Sequence, residues 1–411
     1  MMTDKTILVI GTYDTKDDEL GFLAEVLREH GGKVVTMDVS VLGDPSHPTN
    51  YTKHDVAEEG GSTISAAIAS GDENKAMQIM AKGASCLAAR LHVEGKFDGM
   101  IVLGGTMGTD LALDVASALP LGVPKYIVST VSFSPLIPAE RLAADTQMIL
   151  WAGGLYGLNS VCKASLSQAA GAVLGAARAV QKPDLDKPLI GMTSLGTSAL
   201  KYVIPLKPAL EARGFEVAVF HATGMGGRAF ESLAEQGAFA CVMDFCTQEL
   251  GNHVNGSNIS AGAGRLTHAG LHGTPQIVAP GCYDLVDIVG WQPVPEKWAN
   301  HLTHEHNRLL TSVVLNDGER KLVAEAHCQQ LASAKGAVAM ILPQEGLGEW
   351  DREGADLHNK SGLEQFLGHL EGAMPPNVET HKIACHINDA DFAEKALEIF
   401  DKWCATGVVQ A

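Results

Sequence analysis

Three short runs in the first half of the chain place glycines and hydroxyl side chains directly after an apolar stretch: Gly11-Thr12-Tyr13-Asp14-Thr15-Lys16, Gly104-Gly105-Thr106-Met107-Gly108-Thr109 and Ser129-Thr130-Val131-Ser132. Glycine lets backbone N–H groups approach a phosphate. Hydroxyls add donors, and a following helix adds the positive end of its dipole. Lys16 can supply a point charge. None of the runs is a Walker A or a GxGxxG motif, so it is their recurrence at three strand ends that points to a phosphate-bearing ligand. The plainer alternative is that Gly and Thr only make turns and caps, with Thr109 or Asp110 capping the next helix. Asp38 ends the second apolar run, 27 residues after Gly11. It either accepts from ribose hydroxyls or satisfies loop amides.

The second half offers a different set. His221-Ala222-Thr223-Gly224-Met225-Gly226-Gly227-Arg228 follows a strand-like run and opens a helix. Bare backbone at Gly224, Gly226 and Gly227 exposes N–H donors at a positive helix end. Arg228 is placed to fork a carboxylate or phosphate there, or to pair with Glu231 one turn on. Gly281 sits in a further turn, Pro280-Gly281-Cys282-Tyr283-Asp284. Asp244 and His253 are the first general-base candidates, since that role needs an acceptor near neutral pH. A metal held by Asp244, His253 and a distant His matches no known ligand spacing, so none is expected. Cys246 or Cys282 as a nucleophile competes with the commoner role of buried thiol. Polar clusters also occur at His304-Glu305-His306 and at His386-Ile387-Asn388-Asp389.

The elements that must carry these residues alternate. Thr6–Ile10, Lys33–Val39, Gly99–Leu103, Lys125–Val131 and Met148–Trp151 read as strands. Helical spacing covers Asp17–His30, Asp55–Arg90 with breaks, Asp110–Leu119 and Val161–Val180. The polar, two-proline run Lys182–Pro188 predicts a domain boundary. Strands at Leu189–Thr193, Glu216–Phe220, Ala240–Phe245, Gln276–Ala279 and Ala337–Leu342 then alternate with helices. The expected fold is α/β, two consecutive doubly wound, Rossmann-like parallel-sheet domains over residues 1–182 and 183–411. Trp151-Ala152-Gly153-Gly154-Leu155-Tyr156-Gly157-Leu158 is apolar and uncharged, hence core or interface.

With 30 Lys+Arg against 48 Asp+Glu, the net charge is −18, which excludes general attraction to nucleic acid or anionic membrane. The 8 cysteines form no CxxC pair, and no uncharged run is long enough to span a bilayer. The expectation is a cytoplasmic protein.

The segments Ile7–Lys16 (ILVIGTYDTK), Val39–Pro45 (VSVLGDP), GGTMGTDLA from Gly104, TVSF from Thr130, FHATGMGGRAFE from Phe220, NISAGAGRLTHAG and APGCYDLVDIV resemble, end to end, the Tm-one-like ATP-binding domain family. That family takes its name from the N-terminal half of a tomato mosaic virus resistance protein. The resemblance implies two α/β domains, nucleotide binding by the first and self-association; the cofactor expected is ATP, with magnesium a candidate companion, and the assembly expected is a homodimer or larger. In the plant relative this region inhibits a viral replication protein. One departure follows Leu342, where the family pattern carries Gly-Gly-Val-Ser and this chain reads Pro343–Trp350, PQEGLGEW.

The expected function is therefore nucleotide binding by an enzyme that acts on a small anionic metabolite in the interdomain cleft. The alternative is a nucleotide-regulated, homo-oligomeric binding or inhibitory module without turnover.

Overall fold

A computed structural model describes residues 4–151, 153–181 and 187–410. The chain divides into two compact units, Met1–Pro183 and Asp184–Ala411. Most of the expected boundary run, residues 182–186, lies outside the described residues, as does Ala152.

The first unit is built on five parallel strands, β1 (Thr6–Gly11), β2 (Lys33–Asp38), β3 (Gly99–Gly104), β4 (Lys125–Ser129) and β5 (Thr146–Leu150), in the order β2-β1-β3-β4-β5. This is a doubly wound sheet whose direction of winding switches between β1 and β3. Period-two alternation explains why both faces are covered. Ile7 and Val9 of β1 and Ile101 and Leu103 of β3 pack against helices Tyr13–Glu29 and Ser160–Ala179. Leu8, Ile10, Met100 and Val102 face the opposite core, with helices Lys53–Glu59, Glu73–Val93 and Thr106–Ser117. The first helix begins earlier than its apolar spacing predicts. It starts at Tyr13, and Lys16 breaks it with φ −134° and ψ 26°. From the stretch expected to be core or interface, Trp151, Leu155 and Leu158 pack on the first-helix face of the core.

The second unit holds six parallel strands, β6 (Leu189–Ser194), β7 (Glu216–His221), β8 (Cys241–Cys246), β9 (Gln276–Gly281), β13 (Val338–Pro343) and β14 (Val378–Ile383). Their order is β14-β13-β9-β8-β6-β7. Between β9 and β13 the chain makes a separate antiparallel sheet from β10 (Leu285–Val289), β11 (Thr303–Glu305) and β12 (Leu310–Val314), which the alternation of strands and helices did not predict. The turn into it places Cys282 at φ 61°. β14 also went unread: it is an edge strand with exposed Glu379 and Thr380, so it lacks the continuous apolar run of its neighbours. Among the described residues no helix is long and apolar enough to cross a membrane.

Candidate functional site

The carboxyl ends of β1, β2 and β3 open onto a cavity of about 1210 Å³. Its polar side comes from Thr12, Asp14, Thr15 and Lys16 after β1 and from Gly104–Gly108 after β3. Its apolar side comes from Val41 and Leu42 after β2, Ala67 and Ile68, Ala76 and Met77, and Leu155 and Tyr156. Ligands of open α/β sheets sit at this place, outside the strand ends where the winding reverses.

The three glycine and hydroxyl loops are not equivalent. After β1 the helix start is already answered from within. The Tyr13 amide donates to Asp38 Oδ1 at 3.4 Å and the Asp14 amide to Ser40 Oγ at 3.0 Å. Asp38 is 1% exposed and does not line the cavity. Its Oδ1 also accepts from the Ser40 amide at 2.9 Å and hydroxyl at 2.5 Å. Burial raises its pKa, against the hydrogen bonds from Ser40. The ribose role is thus corrected: this carboxylate holds the loop after β2. Gly11 likewise serves packing, since a Cβ there would meet Leu20 Cδ1 at 2.7 Å.

After β3 the helix start is open. No side chain caps the helix at Gly105, and the first backbone bond runs from the Thr109 amide to the Gly105 carbonyl at 2.8 Å. The amides of Thr106, Met107 and Gly108 have no partner among the described residues. Gly104 allows the close approach of strand and helix, because a Cβ there would stand 2.6 Å from Gly108 Cα. At Gly105 a Cβ would meet only Thr130 Oγ1, at 3.9 Å. Lining the same cavity as these amides, Lys16 Nζ donates to the hydroxyls of Thr12 at 3.1 Å and Thr15 at 3.2 Å, with no carboxylate partner among the described residues.

The third loop is spent on structure. Ser129 and Thr109 are buried and share a hydroxyl–hydroxyl bond of 2.6 Å, and Ser129 Oγ accepts from the Val131 amide. Neither Ser129 nor Thr130 lines the cavity.

The second unit's glycine turn proves to be an anion site already filled by the chain itself. Gly224, at φ 88°, and Gly227 both donate backbone N–H to Glu249 Oε1, at 2.5 and 3.0 Å. A Cβ on Gly227 would lie 1.7 Å from Glu249 Oε2, and one on Gly226 would lie 1.8 Å from the His221 carbonyl. Behind Glu249 lies Arg265, fully buried. Its guanidinium donates to Glu249 Oε2 at 2.9 Å, Glu231 Oε1 at 3.1 Å, Asp244 at 2.5 and 2.7 Å, and the Cys246 carbonyl at 3.1 Å. Burial pushes the Glu249 carboxyl up to about 7 against the pull of Arg265 and the two amides. Burial also acts to raise Glu231, but the His268 hydrogen bond and Arg265 hold it below its ordinary value.

Several expectations are corrected by this network. Asp244 is bound to Arg265 and to the Thr193 hydroxyl at 2.7 Å, sealed from any substrate, so it is no general base. His253 is exposed on the short helix Gln248–Val254 and shares no site with it. Glu231 pairs with Arg265 and His268, not with Arg228, whose Nε is buried without a partner. Gly281 is a packing glycine, its Cβ position 2.2 Å from the Phe245 carbonyl. Cys246 and Cys282 are both fully buried, and the bond to Cys246, then burial, push the Cys282 thiol far up. In the divergent loop after β13, Asp351 accepts from the Leu347 amide at 2.7 Å and the Gly348 amide at 3.2 Å, and buried His386 bonds the Gly348 carbonyl at 2.9 Å. These bonds occupy the Leu347 and Gly348 amides internally.

Two family models together cover nearly the whole chain, the N-terminal domain of uncharacterised protein family UPF0261 over residues 5–182 and its C-terminal domain over residues 187–404. The chain belongs to the UPF0261 family. A UPF0261 protein of Brucella melitensis is 52% identical over 403 residues, covering 98% of this chain and 96% of that protein. The tomato ToMV resistance protein Tm-1(GCR237) is 28% identical over 424 residues, and the match covers 96% of this chain but 55% of the tomato protein. Among solved structures, the Streptomyces glycosyltransferase SsfS6, complexed with thymidine diphosphate, matches at 18% identity and a TM-score of 0.19, over 68% of this chain and 83% of that one. A score that low carries no argument about this UPF0261 chain.

Proposed function

We propose that the first unit binds a nucleotide, ATP or a close relative, in the cavity at the ends of β1, β2 and β3. The observation that carries this reading is the uncapped start of helix Thr106–Ser117 lining one cavity with Lys16. Three unpartnered amides, the positive end of a helix and an ammonium resting only on hydroxyls form a site for a phosphate chain. The cavity exceeds what phosphates need, and apart from Asp72 and Glu73 the lining away from the glycine loops is apolar, which suits a ligand with an anionic head and a planar body carrying polar edges. The open space at Gly105 fits the same group.

Among the described residues no three His, Cys, Asp or Glu side chains gather closely enough to hold a metal on their own. Magnesium would enter with the phosphates, which supply the oxygen ligands it prefers. With Asp244 sealed and His253 apart from it, the reading is one of binding, and a turnover step has no named base.

Calorimetric titration of the full chain with ATP and with tripolyphosphate tests it. Both are expected to bind. Lys16→Ala should weaken both about tenfold, the loss of roughly one charge-assisted contact. Gly105→Val should abolish binding while the protein stays folded, since its added methyls fill the cradle. Absence of heat with either ligand, or unchanged affinity in Gly105→Val, would refute the proposal.

A further inference from the structure

The apolar lip of the cavity has an uncommon property. Leu42 is 78% exposed, Ile68 48% and Tyr156 97%, and each comes from a different element: the loop after β2, helix Ile64–Ala69 and the loop after β5. Single exposed apolar side chains are ordinary, but three that line one cavity are not. Tyr156 stands apart within its own loop. Leu155 and Leu158 on either side pack against the first-helix face of the core, whereas the phenol is left uncovered. The loop is also held in place. Gly157, at φ 84°, donates its amide to Glu19 Oε1 at 2.9 Å. Glu19 is buried at 1% exposure and sits three residues after Lys16 on the same helix. A buried carboxylate spent on one loop amide fixes that loop relative to Lys16.

We infer that Tyr156 is a stacking platform for the planar heteroaromatic ring of the bound ligand, with Leu42 and Ile68 as the facing apolar lip and Glu19 as the positioning residue. The inference rests on the nucleotide reading of the same cavity and adds the residue that grips the base. An aromatic ring with its face free is worth about 1–3 kcal/mol per stacked base, which corresponds to roughly 5- to 150-fold in affinity. Such a contact is indifferent to the phosphate chain.

The experiment follows from that separation. ATP and tripolyphosphate are titrated into wild type, Tyr156→Ala, Tyr156→Trp and Glu19→Gln, with light scattering on each. Tyr156→Ala is expected to weaken ATP at least 5-fold and to leave tripolyphosphate unchanged. Tyr156→Trp should retain ATP affinity, and Glu19→Gln should give a smaller loss confined to ATP. Equal ATP affinity in wild type and Tyr156→Ala would overturn the stacking role while leaving nucleotide binding intact. A changed molecular mass in Tyr156→Ala with unchanged ATP affinity would assign the ring to an interface between copies instead. If wild type bound neither ligand, the nucleotide reading would fail, and the platform with it.

Discussion

Removal of the Arg265 side chain should be the most damaging single change in the second unit. Arg265→Leu deletes five guanidinium hydrogen bonds and leaves Asp244, Glu231 and Glu249 buried together with only His268, on Glu231, as a cationic partner among the described residues. Hydrogen bonds to charged groups contribute about 1.5–3 kcal/mol each, but the five share one side chain and do not add. Breaking a buried ion pair by removing one partner costs about 3–5 kcal/mol, and with Asp244 and Glu249 losing the cation they share while Glu231 keeps His268, the upper half of that range applies. That is a large share of the roughly 5–15 kcal/mol that keeps a domain folded. Urea unfolding followed by far-UV circular dichroism should show the second unit's transition moved to much lower denaturant. The deficit should shrink as pH falls, because protonation relieves the abandoned carboxylates, Glu249 first, its carboxyl being already pushed up to about 7. Arg265→Lys should recover little, since an ammonium cannot reach three carboxylates as a planar fork does. A loss below about 1 kcal/mol, or one that does not vary with pH, would show that the network is not the unit's electrostatic keystone.

Two further outcomes are expected. Gly227→Ala adds a better helix former, worth up to about 1 kcal/mol, yet should destabilise the second unit, because the new Cβ would fall 1.7 Å from Glu249 Oε2; thermal melting of the variant decides the sign. The hydrogen bond to the Glu231 carboxylate holds the His268 pKa above the ordinary 6.5 of imidazole, despite partial burial. A raised folded pKa gives stability that is complete below pH 6.5 and lost as pH rises through the folded value. Unfolding free energy measured across that range should fall for wild type and stay flatter for His268→Gln.

The sheet was legible because β1, β3, β8 and β9 are buried along their length and appear as largely apolar runs, those of β1 and β3 ending in a glycine turn. Strands without that property escaped: β14 is exposed at half its positions, and β10 and β12 belong to a small antiparallel sheet with no long helix between its strands. At the site, the loops were legible as loops, but their occupancy was not. Nothing in Gly224–Arg228 tells that its donors are taken by a carboxylate more than twenty residues later in the chain. One signal was present. Arg265 is the only Lys, Arg, Asp or Glu between Asn258 and Gly270, and a lone Arg among mostly small residues implies buried carboxylates to meet it. Tyr156 lay in the uncharged run read as core or interface, but neither it nor Leu42 signalled a cavity lip, since a large apolar side chain in a loop does not reveal its exposure.

The carboxylate of Glu249 in the second unit's glycine turn carries a consequence for competition between ligands. A tethered anion acts at an effective concentration of millimolar order or above, fixed by the chain and independent of the surroundings. A free phosphate or carboxylate metabolite would have to outbid that permanent resident, at a place where Gly227 leaves room for it alone. The helix start after β3 has no such resident, so its occupancy follows the concentration of whatever solute fits it. Of two turns written in nearly the same residues, one is insulated from the composition of the solution and the other is open to it.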